Sequence, residues 1–178
     1  KRLKVVAEDF VNHYSKRVSE GATVKGKAMF VCSTREIAYE LYKNIIELRP
    51  EWNEIKNAEE NSELTEKDKR KELDRQFKNE KSNFKIAIVV DMWLTGFDVP
   101  FLDSIYIDKP IQRHNLIQTI SRVNRKFEGK NKGLVVDYIG IKTQMNLALK
   151  QYSEGDKDNF EDIAESIIIV RNHLDLLA

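Results

Sequence analysis

Apolar residues recur along the chain in two patterns, one typical of helices and one typical of buried strands. The opening segment repeats apolar residues at helical spacing, among them Leu3, Phe10 and Tyr14, and then reaches a glycine-bearing loop at 21 to 26. An almost continuously apolar run, KAMFVCS, follows at 27 to 33. Such a run is the pattern of a strand buried on both faces of a sheet. We therefore predict an amphipathic helix followed by a buried strand.

The pattern after this strand predicts a capped helix. Ser33-Thr34-Arg35-Glu36 has the spacing of a capping box, and it precedes apolar residues at helical spacing. This helix is expected to stop near Pro50, because proline disfavours continuation of a helix. A strand followed by a capped helix forms the first βα unit.

Residues 51 to 83 have a different composition, with ten acidic and eight basic residues among 33. This charge density, with few apolar positions, predicts a charged insertion made of an exposed loop and a solvated helix near 64 to 79. Apolar strands are predicted again afterwards: KIAIVVD at 85 to 91, SIYID at 104 to 108 and GLVVDYIG at 133 to 140.

Alternation of buried strands with helices indicates an α/β fold with a parallel sheet covered by helices on both faces. We expect a single domain over residues 1 to 178, since this length supports one core and is short for two. Apolar residues near the end, Phe160, Ile167 and Leu177 among them, predict a final amphipathic helix at 158 to 177.

Composition narrows the class of protein. Hydrophobic residues make up 41% of the chain and the net charge is only +1, so this is a globular protein whose composition indicates no polycationic binder. The single Cys32 excludes an internal disulfide and favours a reducing compartment, so we expect a cytoplasmic protein. No apolar run is long enough to cross a bilayer. Because the chain begins without Met and within a helical pattern, we expect a fragment of a longer polypeptide.

The loop TGFDVP at 95 to 100 follows a buried strand and carries candidate chemistry. Gly96 permits a close backbone approach, Thr95 offers a hydroxyl, and Asp98 could accept a hydrogen bond from a ribose hydroxyl or orient an arginine. The alternative is a tight βα turn in which Asp98 is a helix cap or a turn residue.

The segment QTISRVNR at 118 to 125 predicts a helix with one polar and one apolar side. Its polar side carries two arginines and no acid, which suits phosphate because guanidinium groups form paired hydrogen bonds. The alternative is a solvated face on which arginine stems cover apolar surface. The polar positions are Gln118, Ser121, Arg122 and Arg125, and the apolar positions are Leu116, Ile120 and Val123.

Ligands of open α/β sheets bind at the carboxyl ends of the strands. We therefore expect three segments to meet there: Ser33 with Thr34, the loop at 92 to 100, and the connection from 108 into QTISRVNR.

These segments resemble a known family. VVDMWLTGFDVP followed by QTISRVNR resembles motifs V and VI of superfamily 2 helicases and translocases, and KAMFVCSTREIAYELY is similar to the region of motif IV. The words MWLTGFDVP, YIDKP, LIQTISRVNR and GLVVDYIG, in this order, resemble the second RecA-like motor domain of the R (HsdR) subunit of type I restriction-modification enzymes. The resemblance covers about residues 1 to 150, and Ser121 stands where many superfamily members have glycine.

The resemblance implies an ATP-driven motor with ATP bound between two RecA-like domains. Arg125 would be the arginine finger, and Arg122 a second γ-phosphate or cross-domain contact. Gln118, Gly96 and Asp98 would contact the nucleotide. Thr95, Ser33 and Thr34 would face the DNA backbone, with a helix cap as the alternative role for Ser33.

The sequence lacks G-x-x-x-x-G-K-[ST] and has no Asp-Glu pair after a strand, so it has no P-loop of its own. ATP and Mg²⁺ would be shared with a preceding motor domain, and the isolated fragment is expected to be inactive. Glu54-Ile55-Lys56 spells E-x-K without a partner carboxylate, so we do not predict a nuclease site there. No protein metal site is predicted, because the three histidines lack ligands at metal-binding spacing.

The implied function is ATP-dependent translocation of duplex DNA before endonucleolytic cleavage. The implied partners are preceding RecA-like and nuclease domains of the same polypeptide, together with methyltransferase and specificity subunits; no membrane is implied. Two alternatives remain open from the residues: a motor domain of another superfamily 2 DNA or RNA helicase, and a non-catalytic nucleic-acid-binding module.

Overall fold

A computed structural model describes residues 1–53, 66–91, 98–130 and 133–140, together with 147 and 167–169. Within these residues the chain alternates helices with short strands. The helices are α1 (Arg2–Ser19), α2 (Arg35–Leu48), α3 (Glu66–Phe77) and α4 (Arg113–Val123), with a 3-10 turn at Pro50–Trp52. The strands are β1 (Lys27–Cys32), β2 (Ile86–Val89), β3 (Leu102–Asp108), β4 (Leu134–Asp137) and β5 (Ile167–Ile169).

The five strands form one parallel sheet in the order β2-β1-β3-β4-β5. Phe30 of β1 aligns with Tyr106 of β3, which in turn aligns with Val136 of β4. The predicted parallel α/β sheet is therefore confirmed. Sequence order reverses between β1 and β3, because the chain moves outward from β1 to β2 and then crosses to β3.

Each face of the sheet has its own apolar core. Under α1 and α2, Phe10 packs edge-on against Tyr106 with ring centroids 4.7 Å apart. On the opposite face, Phe77 of α3 and Leu116 of α4 pack with strand residues such as Ile105. Adjacent β1 residues alternate between the two cores, as expected from the two-residue period of a strand. The prediction of helices on both faces is confirmed.

The helix α2 begins one residue later than the capping-box pattern predicts. Thr34 is its N-cap, with extended backbone angles, and the Thr34 Oγ1 accepts a hydrogen bond of 3.3 Å from the Ile37 amide. The assignment of the cap to Ser33 is therefore wrong. The Ser33 hydroxyl instead donates to the carbonyl oxygen of Asp108, at 2.9 Å. The helix ends at Leu48, just before Pro50, as predicted.

The helix α4 buries the apolar side that the sequence predicts, with Leu116, Ile120 and Val123 inaccessible to solvent. It ends at Val123, so Arg125 lies beyond the helix rather than on its polar face. Gly133, directly before β4, permits close packing at this end, because a Cβ atom there would lie 2.2 Å from the Val123 carbonyl oxygen. The chain leaves the helix at Asn124, whose amide bonds Ile120.

The prediction of a helix over 158 to 177 is wrong at 167 to 169, which form the strand β5 beside β4. Three consecutive β-branched isoleucines favour a strand, and β4 offers a backbone edge with which to pair. The rest of the predicted helix lies outside the described residues. The predicted solvated helix is confirmed as α3, whereas the preceding loop at 54 to 65 also lies outside them. Among the helices the structure describes, none is long and apolar enough to cross a membrane.

Candidate nucleotide and nucleic-acid site

The polar side of α4 remains partly open to solvent. Gln118, Ser121 and Arg122 are half-buried, while the opposite side of the helix is in the core. The Ser121 hydroxyl donates to the Gln118 carbonyl oxygen at 2.7 Å, so it is engaged by the backbone of its own helix. Of these three side chains, the long Gln118 and Arg122 are the ones suited to reach a ligand.

An ion pair joins the loop after β2 to the segment after α4. Arg125 Nη1 donates to Asp98 Oδ2 at 2.7 Å, with 48% and 51% of the two side chains exposed. The structure thus brings together two residues predicted to act on a nucleotide, and Asp98 takes the arginine-orienting role foreseen as one option. Gly96 and Thr95 lie outside the described residues.

The Arg125–Asp98 pair lies toward the amino ends of the strands. Asp98 is four residues before the first residue of β3, and α4 runs back from the carboxyl end of β3 to the amino end of β4. Lys130 fixes this region by donating to the Pro100 carbonyl oxygen at 2.9 Å. The prediction that all three segments meet at the carboxyl edge is therefore wrong for Asp98 and Arg125. A helix connecting parallel strands runs antiparallel to them, so its last residues lie at the opposite edge.

The carboxyl edge holds a different cluster, centred on Asp108 at the end of β3. The Asp108 side chain is only 2% exposed, and it accepts hydrogen bonds on both oxygens from the Arg2 guanidinium of α1, one of them 3.1 Å long. This hydrogen bonding raises the pKa of Arg2 above its usual range, against the opposing effect of burial. Sequence reasoning missed both residues. Asp108 could have been found from the sequence, because it is a charged residue at the end of an otherwise mostly apolar strand.

A second ion pair crosses the same edge. Lys109, directly after β3, pairs with Asp91, which follows β2. Together with the hydrogen bond from Ser33 to the Asp108 carbonyl oxygen, this pair ties the ends of β1, β2 and β3 to one another.

The hydroxyl groups predicted to face DNA already have partners within the chain. The Ser33 hydroxyl donates a hydrogen bond to the Asp108 carbonyl oxygen, and the Thr34 hydroxyl oxygen accepts one from the Ile37 amide. The pKa of Glu36 is lowered mainly by a hydrogen bond from its own backbone amide, and then by one from the Thr34 side chain. A phosphate at this loop would therefore be met by backbone N–H groups, unless these hydroxyl bonds break.

Two buried lysines set the electrostatics of the amino edge. Lys27, at 0% exposure, donates to the Phe84 carbonyl oxygen at 2.5 Å and lies 5.1 Å from the Phe77 ring centroid. Burial, and to a smaller extent the nearby Lys85, lower the pKa of Lys27 to about 8. Burial likewise lowers the pKa of Lys130 to about 8, opposed by Asp103.

The described residues contain no group of three or more His, Cys, Asp or Glu placed to hold a metal ion. The E-x-K sequence at Glu54 and the side chain of His114 lie outside the described part of the chain.

Known proteins resemble this chain over much of its length. The family described as "Type I restriction enzyme subunit R domain 3" (T1R_D3-like) matches residues 51–140, just over half of the chain. The type I restriction enzyme HindI endonuclease subunit of Haemophilus influenzae is 39% identical over 99% of the chain. A protein of Methanocaldococcus jannaschii, assigned as the MjaIXP endonuclease subunit of a type I restriction enzyme, is 42% identical over 90% of it. The chain spans only 18% and 16% of the lengths of these two relatives.

A solved structure shares the fold. It is a fragment of a protein of Vibrio vulnificus assigned as the HsdR subunit of a type I restriction enzyme, and it superposes with a TM-score of 0.63 at 20% sequence identity. The match covers 95% of this chain and 32% of that fragment. The expected resemblance to the R subunit is thus confirmed, and the chain belongs to the family of type I restriction enzyme subunit R, domain 3.

Proposed function

We propose that this domain is the second motor domain of a type I restriction enzyme R subunit, where it completes an ATP site formed with a neighbouring RecA-like domain. Motor activity would translocate duplex DNA before endonucleolytic cleavage. The observation that carries the proposal is the half-exposed Arg125–Asp98 pair, which joins the two motifs expected to contact nucleotide. Membership of the R subunit family supports the same assignment.

The donor chemistry of this chain fits a triphosphate. Arg125 is held by Asp98 yet half exposed, so the guanidinium is oriented without being buried. Arg122, three residues before it in the last turn of α4, adds a second guanidinium. An arginine delivered to a transferring phosphate accelerates hydrolysis by about 10³ to 10⁵. ATP would supply the phosphoryl group. Because this sequence has no P-loop, ATP and Mg²⁺ would be bound mainly by the neighbouring domain.

The DNA contact is assigned to the opposite edge of the sheet. Ser33 and Thr34 follow β1 at the carboxyl edge. Thr95 is proposed as a further DNA contact. With a net charge of +1, binding would use local contacts to backbone phosphates rather than a broad basic surface. Nucleotide and DNA would then be contacted at two ends of one rigid sheet.

The proposed partners follow from the R subunit assignment. They are duplex DNA, the preceding RecA-like and nuclease domains of the same polypeptide, and the methyltransferase and specificity subunits. Sequence recognition would reside in the specificity subunit, which agrees with a DNA contact made to phosphates.

The test is an Arg125→Ala substitution in the full-length R subunit, assembled with its partner subunits. We expect DNA-stimulated ATP hydrolysis to fall by about 10³ or more, since the arginine would act only on the reacting phosphate. Arg75→Ala is a matched control, because Arg75 is an exposed arginine on α3 paired with Glu72. ATPase activity equal to that of the unaltered enzyme in Arg125→Ala would contradict the proposal.

A further inference from the structure

Three elements are tied together at one residue of the carboxyl edge. The Asp108 carboxylate, at the end of β3, forms a hydrogen-bonded ion pair with Arg2 in the first turn of α1. The carbonyl oxygen of the same residue accepts the hydroxyl of Ser33, at 2.9 Å, directly after β1. Asp108 therefore links the start of α1 and the β1–α2 loop through its side chain and its backbone respectively.

This link lies where the sheet changes direction. The strands β1 and β3 are neighbours in the sheet, but the chain visits β2 between them. In open α/β sheets, the crevice outside the carboxyl ends of two such strands is where ligands bind. Ser33 and Asp108 are the residues that flank this crevice in the present fold.

The Arg2–Asp108 contact has the properties of a positioning interaction. Paired hydrogen bonds between a guanidinium and a carboxylate fix the relative orientation of two groups better than a single bond does. Asp108 is almost completely buried, whereas 41% of the Arg2 side chain is exposed. The carboxylate thus has a fixed place in the sheet, and Arg2 attaches α1 to it.

We propose that the Arg2–Asp108 pair is a positioning element for DNA binding, which holds the Ser33–Thr34 loop in its DNA-facing position. This inference rests on the proposed function, because that function assigns the loop to DNA. The side chain of Asp108 fixes the peptide that carries its carbonyl oxygen, and this oxygen fixes Ser33. Loss of Arg2 leaves the buried Asp108 carboxylate without its cation, so that the end of β3 readjusts, and the loop then meets the phosphates with altered backbone N–H positions.

The experiment measures DNA-stimulated ATPase activity of the full-length, assembled enzyme as a function of duplex DNA concentration. Arg2→Gln is expected to raise the DNA concentration for half-maximal activity by about threefold to tenfold, in the range of a modest coupling between sites. The rate at saturating DNA should stay within about twofold, because Arg2 lies far in the fold from the Arg125–Asp98 pair. Arg2→Lys, which keeps the charge without the paired geometry, should recover part of the affinity.

Arg17→Gln is the matched control. Arg17 is on the same helix as Arg2 but near the opposite end of that helix, where it donates to the Ala22 carbonyl oxygen. Ser33→Ala should weaken DNA binding to a similar extent, and Arg2→Gln should add little to it, because both act through Asp108. Unchanged half-maximal DNA concentration in Arg2→Gln, or effects of the two substitutions that simply multiply, would overturn the proposal. If Arg2→Gln unfolds the enzyme, the Arg2→Lys and Ser33→Ala variants decide it by the same criterion.

The outcomes separate this inference from the proposed function. A normal ATPase rate in Arg125→Ala would reject the motor assignment itself. A strongly reduced rate there, combined with unaltered DNA dependence in Arg2→Gln, would reject only the positioning role.

Discussion

Two arginine–aspartate pairs with the same chemistry lie at opposite ends of the sheet and differ in burial. In the Arg2–Asp108 pair the carboxylate is 2% exposed, whereas in the Arg125–Asp98 pair it is 51% exposed. A buried carboxylate that loses its partner cannot recover solvation, while an exposed one is hydrated at once. The Arg2–Asp108 pair is therefore suited to fix the position of α1 against the end of β3. The Arg125–Asp98 pair can exchange its partner for a ligand at little cost in stability.

The two ends also differ in how their buried charges are matched. The carboxyl edge buries the anion Asp108, whereas the amino edge buries the cations Lys27 and Lys130 together with the anion Asp103. Neither lysine has a carboxylate within salt-bridge distance among the described residues; both donate to backbone carbonyl oxygens. Asp108 is thus paired directly with a guanidinium, whereas the two lysines have carbonyl oxygens as hydrogen-bond partners, supplemented by the Phe77 ring at Lys27 and by the more distant Asp103 carboxylate at Lys130.

The largest expected effect on stability is that of Arg2→Ala. It should lower the free energy of unfolding by about 3 kcal/mol, because it leaves the Asp108 carboxylate buried without its cation. Asp108→Asn should cost less, since the remaining Arg2 charge is partly hydrated. Urea denaturation followed by circular dichroism measures both values. If both substitutions lower the free energy of unfolding by the same small amount, burial of the Asp108 carboxylate does not control stability.

Lys27→Met tests the cationic end. The folded pKa of Lys27 is about 8, below its ordinary value of 10.5, so the folded state binds fewer protons than the unfolded state between these pH values. Stability is therefore expected to rise as the pH increases through this window. Replacing the lysine should raise the free energy of unfolding at pH 7 by about 1 kcal/mol and flatten this dependence.

The measurement for Lys27→Met is the urea midpoint at pH 7, 8 and 9. Above pH 9 a second group opposes the trend, since burial raises the pKa of Cys32 to about 12 and the unfolded thiol ionises first. The Lys130 amine contributes in the same direction as Lys27 in both proteins, so the difference between them isolates Lys27. A Met variant less stable than the lysine form at pH 7 would be the contrary result.

Thr34→Ala tests whether the carboxyl edge depends on more than the buried pair. Loss of the cap hydrogen bond to the Ile37 amide should lower the free energy of unfolding by about 1 kcal/mol. Ser33→Ala, one residue earlier, removes a bond to β3 and leaves the cap intact. Opening of the first turn of α2 is measured by amide hydrogen exchange in residues 35 to 38. The exchange rate should increase in Thr34→Ala and much less in Ser33→Ala.

The smallest expected effect on stability is that of Asp98→Asn. Exposed ion pairs contribute at most about 1 kcal/mol, and salt screens them. The urea midpoint should therefore change little, and the change should vanish at high ionic strength. ATPase activity should fall more clearly, because Arg125 loses the group that orients it. A large loss of stability would place this pair in the same class as Arg2–Asp108.

Local patterns in the sequence were sufficient for β1 to β4 and for the buried side of α4, but not for β5, which lies where a helix was predicted. They were insufficient for the ends of elements, as the cap at Thr34 and the end of α4 at Val123 illustrate. Ser33 and Thr34 have similar capping ability, and the choice between them depends on the Asp108 carbonyl oxygen that engages Ser33. The end of α4 at Val123 packs against Gly133, ten residues away, where a Cβ atom would clash with the Val123 carbonyl oxygen.

The α/β class, the parallel sheet and the motifs that carry the family resemblance follow from the amino-acid sequence alone, because continuous apolar strands and helical periodicity are local properties of the chain. The location of those motifs in the fold depends on tertiary contacts. They set the Arg125–Asp98 pair near the amino ends of the strands and assemble Arg2, Ser33 and Asp108 at the other end. These contacts join residues up to 106 positions apart, and such pairings depend on the strand order rather than on any local pattern.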